Sequence, residues 1–245
     1  HKSPDGKNIN KNCGTTHLAS LQKAVVANSA EVGFAFDGDG DRVVAVSSNG
    51  VVLDGDHLIA LIAIDRFDEG RLAEDTVVIT IMANLGLRRA LSKRGIKTFE
   101  TPVGDRYVLE ALEKNNWDVG GEQSGHIVIS ELATTGDGLL AAVQALAATR
   151  KRGKEIGLWA QELVQKSPQV LVNLPVVKSG ADLVTQASDL IEEMKEELGD
   201  KGRIVVRPSG TEPLVRIMVE AVDEVVAQQT ADSIKAAIST LDNIL

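Results

Sequence analysis

Apolar and polar residues alternate along this chain in two rhythms, a two-residue beat in short segments and a 3.6-residue beat in longer ones. The short beat predicts strands at 32 to 36, 76 to 81, 97 to 101 and 118 to 120. The longer beat predicts helices at 16 to 28, 56 to 66, 84 to 94, 105 to 114 and 137 to 150. Two short runs, 43 to 46 and 51 to 53, flank Ser48-Asn49-Gly50 and predict a hairpin, because this triplet favours tight reversal. Strands alternating with helices argue for α/β architecture, in which ligands sit beyond the carboxyl ends of the strands. Loops 82 to 84, 102 to 106 and 121 to 126 are therefore one candidate site. The pattern changes across 151 to 168. Beyond it, strands at 170 to 174, 203 to 207 and 214 to 221 and helices at 181 to 198 and 223 to 240 predict a small α+β domain. In the first of these helices Leu183, Val184, Ala187, Leu190, Ile191, Met194 and Leu198 share one face, which assigns them to a core. The chain divides on this reading into segments 1–53, 54–168 and 169–245.

Composition permits an enzyme without pointing to one. With 245 residues, 43% of them hydrophobic, there is material for one large or two modest cores. A net charge of -9 argues against a nucleic-acid or anionic-membrane surface, so any anionic substrate must be met by local arginines or a metal. The single cysteine, Cys13, has no partner for an intrachain disulfide or a zinc cluster, which fits a reducing cytosol and a cytoplasmic protein. No apolar run reaches the ~20 residues of a membrane span, and the first residues have no signal-peptide core. The start lacks Met and opens in a polar, Gly/Asn-rich loop, which reads as a piece of a longer polypeptide.

Three loops concentrate the chemistry. Asp37-Gly38-Asp39-Gly40-Asp41-Arg42 follows the first strand and sets three carboxylates on alternate residues, so that Asp37, Asp39 and Asp41 are expected to converge on a hard divalent cation, Mg2+ most naturally. Arg42 adds a bidentate fork suited to phosphate. A solvated turn is the bland alternative; an EF-hand fails because Arg42 stands where that loop needs glycine and Ser48 where it needs glutamate. A haloacid-dehalogenase-like phosphatase, with Asp37 as nucleophile and Gly104-Asp105 supplying further ligands, is a third reading. In the second loop, Glu122 and Ser124 of Gly120-Gly121-Glu122-Gln123-Ser124-Gly125-His126 are suited to vicinal sugar hydroxyls, and His126 to moving a proton. The third, Arg207-Pro208-Ser209-Gly210-Thr211-Glu212-Pro213 with Arg216 following, gathers donors that call for an anion; Gly210 is expected to turn backbone amides inward, and Arg216 is an expensive charge within an apolar strand. An ordinary hairpin with incidental arginines is its alternative.

Taken together with Val103-Gly104-Asp105-Arg106-Tyr107-Val108, these loops resemble, in motif and in order, those of the α-D-phosphohexomutase family. The resemblance runs from Asn8 to near the C-terminus. It implies three α/β domains with mixed sheets and a fourth, TATA-binding-protein-like α+β domain, of which this chain would hold the end of the second and all of the third and fourth. Gln123 in the sugar loop favours the glucosamine branch over phosphomannomutase/phosphoglucomutase relatives. The implied reaction passes phosphate from an enzyme phosphoserine to glucosamine 6-phosphate and, after the bisphosphate turns round, takes the other phosphate back, leaving glucosamine 1-phosphate for amino-sugar nucleotide and cell-wall precursor synthesis. Asp37, Asp39 and Asp41 would hold Mg2+, Arg42 would brace the moving phosphoryl group, and Glu122 and Ser124 would bind the sugar. Arg207, Ser209, Gly210, Thr211 and Arg216 would hold the phosphate not in transfer, and His126 would be the general acid or base. The family's T-A-S-H-N-P-like serine loop has no counterpart in these residues, so the partner expected is a serine-bearing N-terminal part of the same polypeptide, and the chain alone is expected to be inactive. A homodimer is compatible with the resemblance, and a non-catalytic metal- and sugar-phosphate-binding fragment is the reading from another class.

Overall fold

The structure, a computed structural model, describes residues 3–210 and 212–243; Thr211 lies outside them. The chain divides into two compact units, with the boundary between Gln165 and Lys166.

In the first unit α1 (Ala19–Ala27) precedes an antiparallel sheet of β1 (Val32–Phe36), β2 (Val43–Ser47) and β3 (Val52–Leu53), paired in that order. The β2–β3 hairpin turns where the triplet predicts, with Gly50 at φ 81° and the Ser47 hydroxyl bonded to Asn49 and to the Val51 carbonyl. Next come α2 (Gly55–Asp68), β4 (Thr76–Thr80), α3 (Leu85–Lys93), β5 (Lys97–Thr101), α4 (Asp105–Asn115), β6 (Val119–Gly121), β7 (Ile127–Ile129), α5 (Gly138–Lys151) and α6 (Ile156–Leu163). Their sheet runs β5-β4-β6-β7; β4 is parallel to β5 and β6, and β7 closes the edge antiparallel, so the sheet is mixed.

Helix α2 organises this unit. Every residue from Gly55 to Arg66 is buried, so it is not the one-faced helix that 56 to 66 suggests but one enclosed on all sides. It packs on α3, α5, α6, β2, β3 and β6. The two sheets share its core: Val43, Ala45 and Leu53 belong to one apolar cluster with Leu58, Leu61, Val77, Ile79 and Ile127. The 53/54 boundary thus falls between two sheets that close on a single core. Val78, pointing to the other face of β4, packs with Val108, Leu112 and Val128 under α4. Charged residues at the far end of α2 are answered by ion pairs: Asp65 takes Lys151 (3.1 Å) and Arg152, Asp68 takes Arg152 (2.8 Å), Glu69 takes Lys151 (2.6 Å), and Arg66 takes Glu131. Arg152 also lies over the Trp159 ring at 4.7 Å.

Two elements exceed the expected set. Helix α6 buries only Ile156, Gly157, Trp159 and Ala160, too short a stretch for its period to stand out, and β7 is three residues long.

The second unit is α+β. Strands β8 (Gln169–Pro175), β9 (Gly202–Pro208) and β10 (Leu214–Ala221) form an antiparallel sheet in the order β8-β10-β9. Helices α7 (Gly180–Gln186), α8 (Ser188–Leu198) and α9 (Glu224–Asn243) pack on it. The continuous helix predicted over 181 to 198 is broken in two at Ala187, yet its apolar face is core as expected, with Leu183, Ala187, Ile191 and Leu198 buried and Met194 packed against them.

Helix α9 is tied down near its end by Asp242, whose carboxylate accepts from the backbone N–H of Val177 (2.9 Å) and Lys178 (2.8 Å). These amide bonds hold Asp242 below the ordinary 3.8. A carboxyl with a depressed folded-state pKa contributes stability fully above its unfolded value and loses it as pH falls through the lower folded one. Asp242→Asn should therefore lower the unfolding temperature of the chain at pH 7, and the gap from wild type should close as pH drops below 3.8. Thermal melts across pH read this out; a gap independent of pH would assign the effect to something other than the carboxylate charge.

Candidate functional site

The aspartate loop closes the β1–β2 hairpin, with Phe36 opposite Val43. Because the segment reverses and is not extended, alternate side chains do not all point one way. Asp37 turns inward and its Oδ1 accepts from the backbone N–H of Gly40 (3.1 Å) and Arg42 (3.3 Å), while Gly40 makes the reversal at φ 73°. Asp41 lies within hydrogen-bonding reach of Asp37. Asp39 stands exposed at the tip. The expected convergence of three carboxylates is thus replaced by a close pair and an outlier, and no cluster of three metal-ligating side chains is assembled among the described residues. Arg42 is half-exposed, its Nε 3.8 Å from Asp37.

The close pair nonetheless fits a hard cation. Burial, and then the adjacent Asp41 carboxyl, push Asp37 above 3.8 despite the loop amides. Asp41 goes the other way: burial would raise it, but hydrogen bonds with His126 and Asp37 outweigh that and hold it low. Two crowded carboxyls, one pushed up and the other held low, together with an Asp41 Oδ1 that is buried with no hydrogen-bond partner among the described residues, form an acidic donor set of the kind a hard cation accepts.

The sugar loop is the turn between β6 and β7, whose register pairs Gly121 with Ile127. It lies directly against the aspartate hairpin. Val43 N–H donates to the Gly125 carbonyl (3.0 Å), Arg42 and His126 form a backbone bridge, and the His126 ring meets Asp41 Oδ2 at 3.0 Å. Gly125 permits this approach: at φ 96°, a Cβ there would stand 2.1 Å from the Val43 carbonyl oxygen. On its other side the loop rests on α2, where Gly55 N–H donates to Gln123 (3.0 Å) and His57 is held by Asp54 (2.8 Å). Glu122 Oε1 accepts from Gly104 N–H (3.1 Å), joining the loops that follow β5 and β6, as expected for a site at the carboxyl ends of parallel strands. Ser124 is exposed. His126 is 3% exposed.

A contribution not singled out from the sequence comes from Gly136-Asp137-Gly138. Asp137 caps α5 by accepting from Leu140 N–H (2.9 Å), and Gly138 donates to the Gly40 carbonyl (2.9 Å), so the start of α5 seats the aspartate loop. The signal was an aspartate between glycines just before a helical period.

In the second unit, the turn between β9 and β10 carries the third group. Arg207 and Arg216 are directly opposite each other across the two strands, and Ser209 N–H donates to Leu214 (2.9 Å). Arg216 reaches Glu212 at 3.2 Å but has its Nε buried without a partner among the described residues. Burial, and then the Arg216 charge, depress the Arg207 pKa. Gly210 has no left-handed φ, and an added Cβ there would meet nothing within 4 Å among the described residues. Thr211, expected in the same group, lies outside the described residues.

The chain matches two family models: Phosphoglucomutase/phosphomannomutase, alpha/beta/alpha domain III, over residues 54–167, and the C-terminal domain of the same family over residues 133–237. It is 49% identical to a phosphoglucosamine mutase of Salinispora arenicola over 98% of its own length and 53% of the relative's. It is 50% identical to one of Limosilactobacillus fermentum over 90% of its length and 49% of that protein. The chain thus spans about half the length of the curated relatives it matches. Among solved structures, an N-acetylphosphoglucosamine mutase of Aspergillus fumigatus aligns with a TM-score of 0.73 at 22% identity, covering 96% of this chain and 54% of that one. A phosphoglucomutase/phosphomannomutase family protein of Burkholderia thailandensis aligns at 0.72 and 20%, covering 94% and 51%. With both domain models and these relatives in agreement, the chain belongs to the phosphoglucomutase/phosphomannomutase family, the α-D-phosphohexomutases.

Proposed function

We propose that this chain is the metal-, sugar- and phosphate-binding portion of a cytoplasmic phosphoglucosamine mutase, which interconverts glucosamine 6-phosphate and glucosamine 1-phosphate by way of a phosphoserine and a bisphosphate. The observation that carries the reading is the backbone and side-chain stitching of the aspartate hairpin to the sugar loop, through Val43–Gly125, Arg42–His126 and Asp41–His126. It brings a crowded carboxylate pair next to a loop with a free-facing serine and a glutamate. Relatives 45 to 50% identical bear the name phosphoglucosamine mutase. The Aspergillus fumigatus mutase was solved with GlcNAc-6P and magnesium.

In this reading Asp37 and Asp41, joined by Asp39 from the loop tip, hold Mg2+, which supplies charge neutralisation at the phosphoryl oxygens. Arg42 turns its fork to the same oxygens. Glu122, steadied by Gly104, and Ser124 grip sugar hydroxyls. In the second unit Arg207, Arg216, Ser209 and Thr211 clamp a phosphate, and the open space over Gly210 admits it. The nucleophilic serine belongs to a further part of the polypeptide, so these 245 residues bind ligand without turning it over.

The phosphatase alternative loses support for a physical reason. Asp37 follows a strand of an antiparallel hairpin and spends one oxygen on its own loop amides, and among the described residues no cluster of three metal-ligating side chains joins it to Asp105.

Asp39→Asn should weaken Mg2+ binding by on the order of tenfold through loss of one ligand charge. It should leave the melting temperature of the metal-free chain unchanged, since the side chain stands exposed at the tip. Isothermal titration with a thermal melt decides it; equal affinity would remove Asp39 from the metal set. Arg207→Ala, in a polypeptide that also carries the serine part, should cost about 2 to 4 kcal/mol of transition-state binding, or roughly 30- to 1000-fold in kcat/KM. Arg207→Lys should recover part of this, keeping the charge but losing the fork. Unchanged kinetics in folded Arg207→Ala would reduce the β9–β10 turn to a structural hairpin. Turnover by the 245-residue chain of verified mass would overturn the division of roles itself.

A further inference from the structure

We propose that Asn173 is a third phosphate-binding side chain, completing a row with Arg216 and Arg207 on one face of the β8-β10-β9 sheet. The inference rests on the β9–β10 turn being the phosphate clamp proposed above, and it extends that clamp from the turn onto the strands.

The strand register carries it. Arg216 is directly opposite Asn173 on β8 and Arg207 on β9, and directly opposed residues project from the same side of a sheet. The other side is the one the helices cover: Val215, Ile217 and Val219, which alternate with Arg216, lie in one apolar cluster with Leu183, Ile191 and Ile234. The polar row is bounded by apolar pairs, Leu214 opposite Pro175 toward the turn and Met218 between Leu171 and Val205 beyond it. Asparagine is depleted in strands, so a site within Val170-Leu171-Val172-Asn173-Leu174 is not where local preference puts it. Asn173 is exposed, and its carboxamide makes no hydrogen bond among the described residues. Arg216 beside it reaches Glu212 but keeps its Nε buried and without a partner among the described residues.

Two guanidiniums side by side repel each other and favour an anion between them. A third cation in the row would add to the repulsion, and a carboxylate would fill the anion's place. A carboxamide does neither. It is neutral and offers two N–H donors to a phosphate oxygen. An anion over Arg216, in the middle of the row, has Arg207 one strand away on one side and Asn173 one strand away on the other. Strands are spaced about 4.8 Å apart, so a single tetrahedral group is within reach of both flanks.

The test uses the 245-residue chain and inorganic phosphate, followed by isothermal titration and by the side-chain amide resonances of Asn173. In the wild-type chain those resonances should shift with phosphate at the midpoint that calorimetry gives, a readout that a merely structural asparagine would not move. Asn173→Ala should bind phosphate roughly 3- to 10-fold more weakly, the loss of one hydrogen bond to an anion. Asn173→Asp keeps the shape and reverses the electrostatics: affinity should fall by at least ~30-fold while the melting temperature does not fall, because the new carboxylate answers the arginines itself. Unmoved amide resonances at saturating phosphate, or wild-type affinity in a folded Asn173→Ala chain, would overturn the inference; a loss of affinity in Arg207→Ala in the same assay would leave the clamp standing. No phosphate binding by the wild-type chain, or wild-type affinity in Arg207→Ala, would overturn both.

Discussion

Helix α2 is buried on every side from Gly55 to Arg66, and the first unit is arranged around the need to enclose it. A helix without a solvent face cannot be covered by one sheet. It takes the antiparallel β1-β2-β3 sheet, the mixed β5-β4-β6-β7 sheet and helices α3, α5 and α6 to do so, and the enclosure draws the aspartate hairpin and the sugar loop to the same end of the helix. Proximity of the two loops is thus a by-product of core formation. Removing a fully buried residue such as Leu58 or Leu61 would open a cavity worth about 2 to 5 kcal/mol and loosen both loops at once.

The loops themselves are built against electrostatic preference. Asp37 and Asp41 are held together by a hairpin register, two loop amides and one imidazole, and Arg207 and Arg216 are held together by a strand register. Like charges directly opposed across strands are destabilising, as with Arg207 and Arg216, and the two carboxyls crowd each other within the loop. The pattern is of opposite sign in the two units, anionic in the first and cationic in the second.

Much of this was legible in the sequence because the elements carry strong local signals. Strands 32 to 36, 97 to 101 and 214 to 221 fall where the alternation puts them, and the Ser48-Asn49-Gly50 turn and the core face through Leu183, Ile191 and Leu198 do likewise. What escaped depends on how loops reverse and pack and on elements too short or too unmarked to show a period. The inward turn of Asp37 and outward stance of Asp39 follow from where Gly40 reverses the chain, and the burial of His126 follows from Gly136, ten residues away. The break at Ala187 carries no glycine or proline to announce it. Helix α6 and strand β7 are shorter than the window in which a period can be recognised.

The two ends of α2 are fastened by different means. Toward its start the bonds are backbone amides to the sugar loop and hydrogen bonds packed beneath it. At its finish, Asp65, Asp68 and Glu69 are met by Lys151 and Arg152, several of them reachable by water. Dissolved ions screen the second kind of fastening over about 10 Å at 0.1 M and scarcely touch the first. Ionic strength therefore acts on this helix asymmetrically: brine loosens the α5–α6 corner while the loop end keeps its grip, so local opening under salt begins at the end opposite the β6–β7 turn.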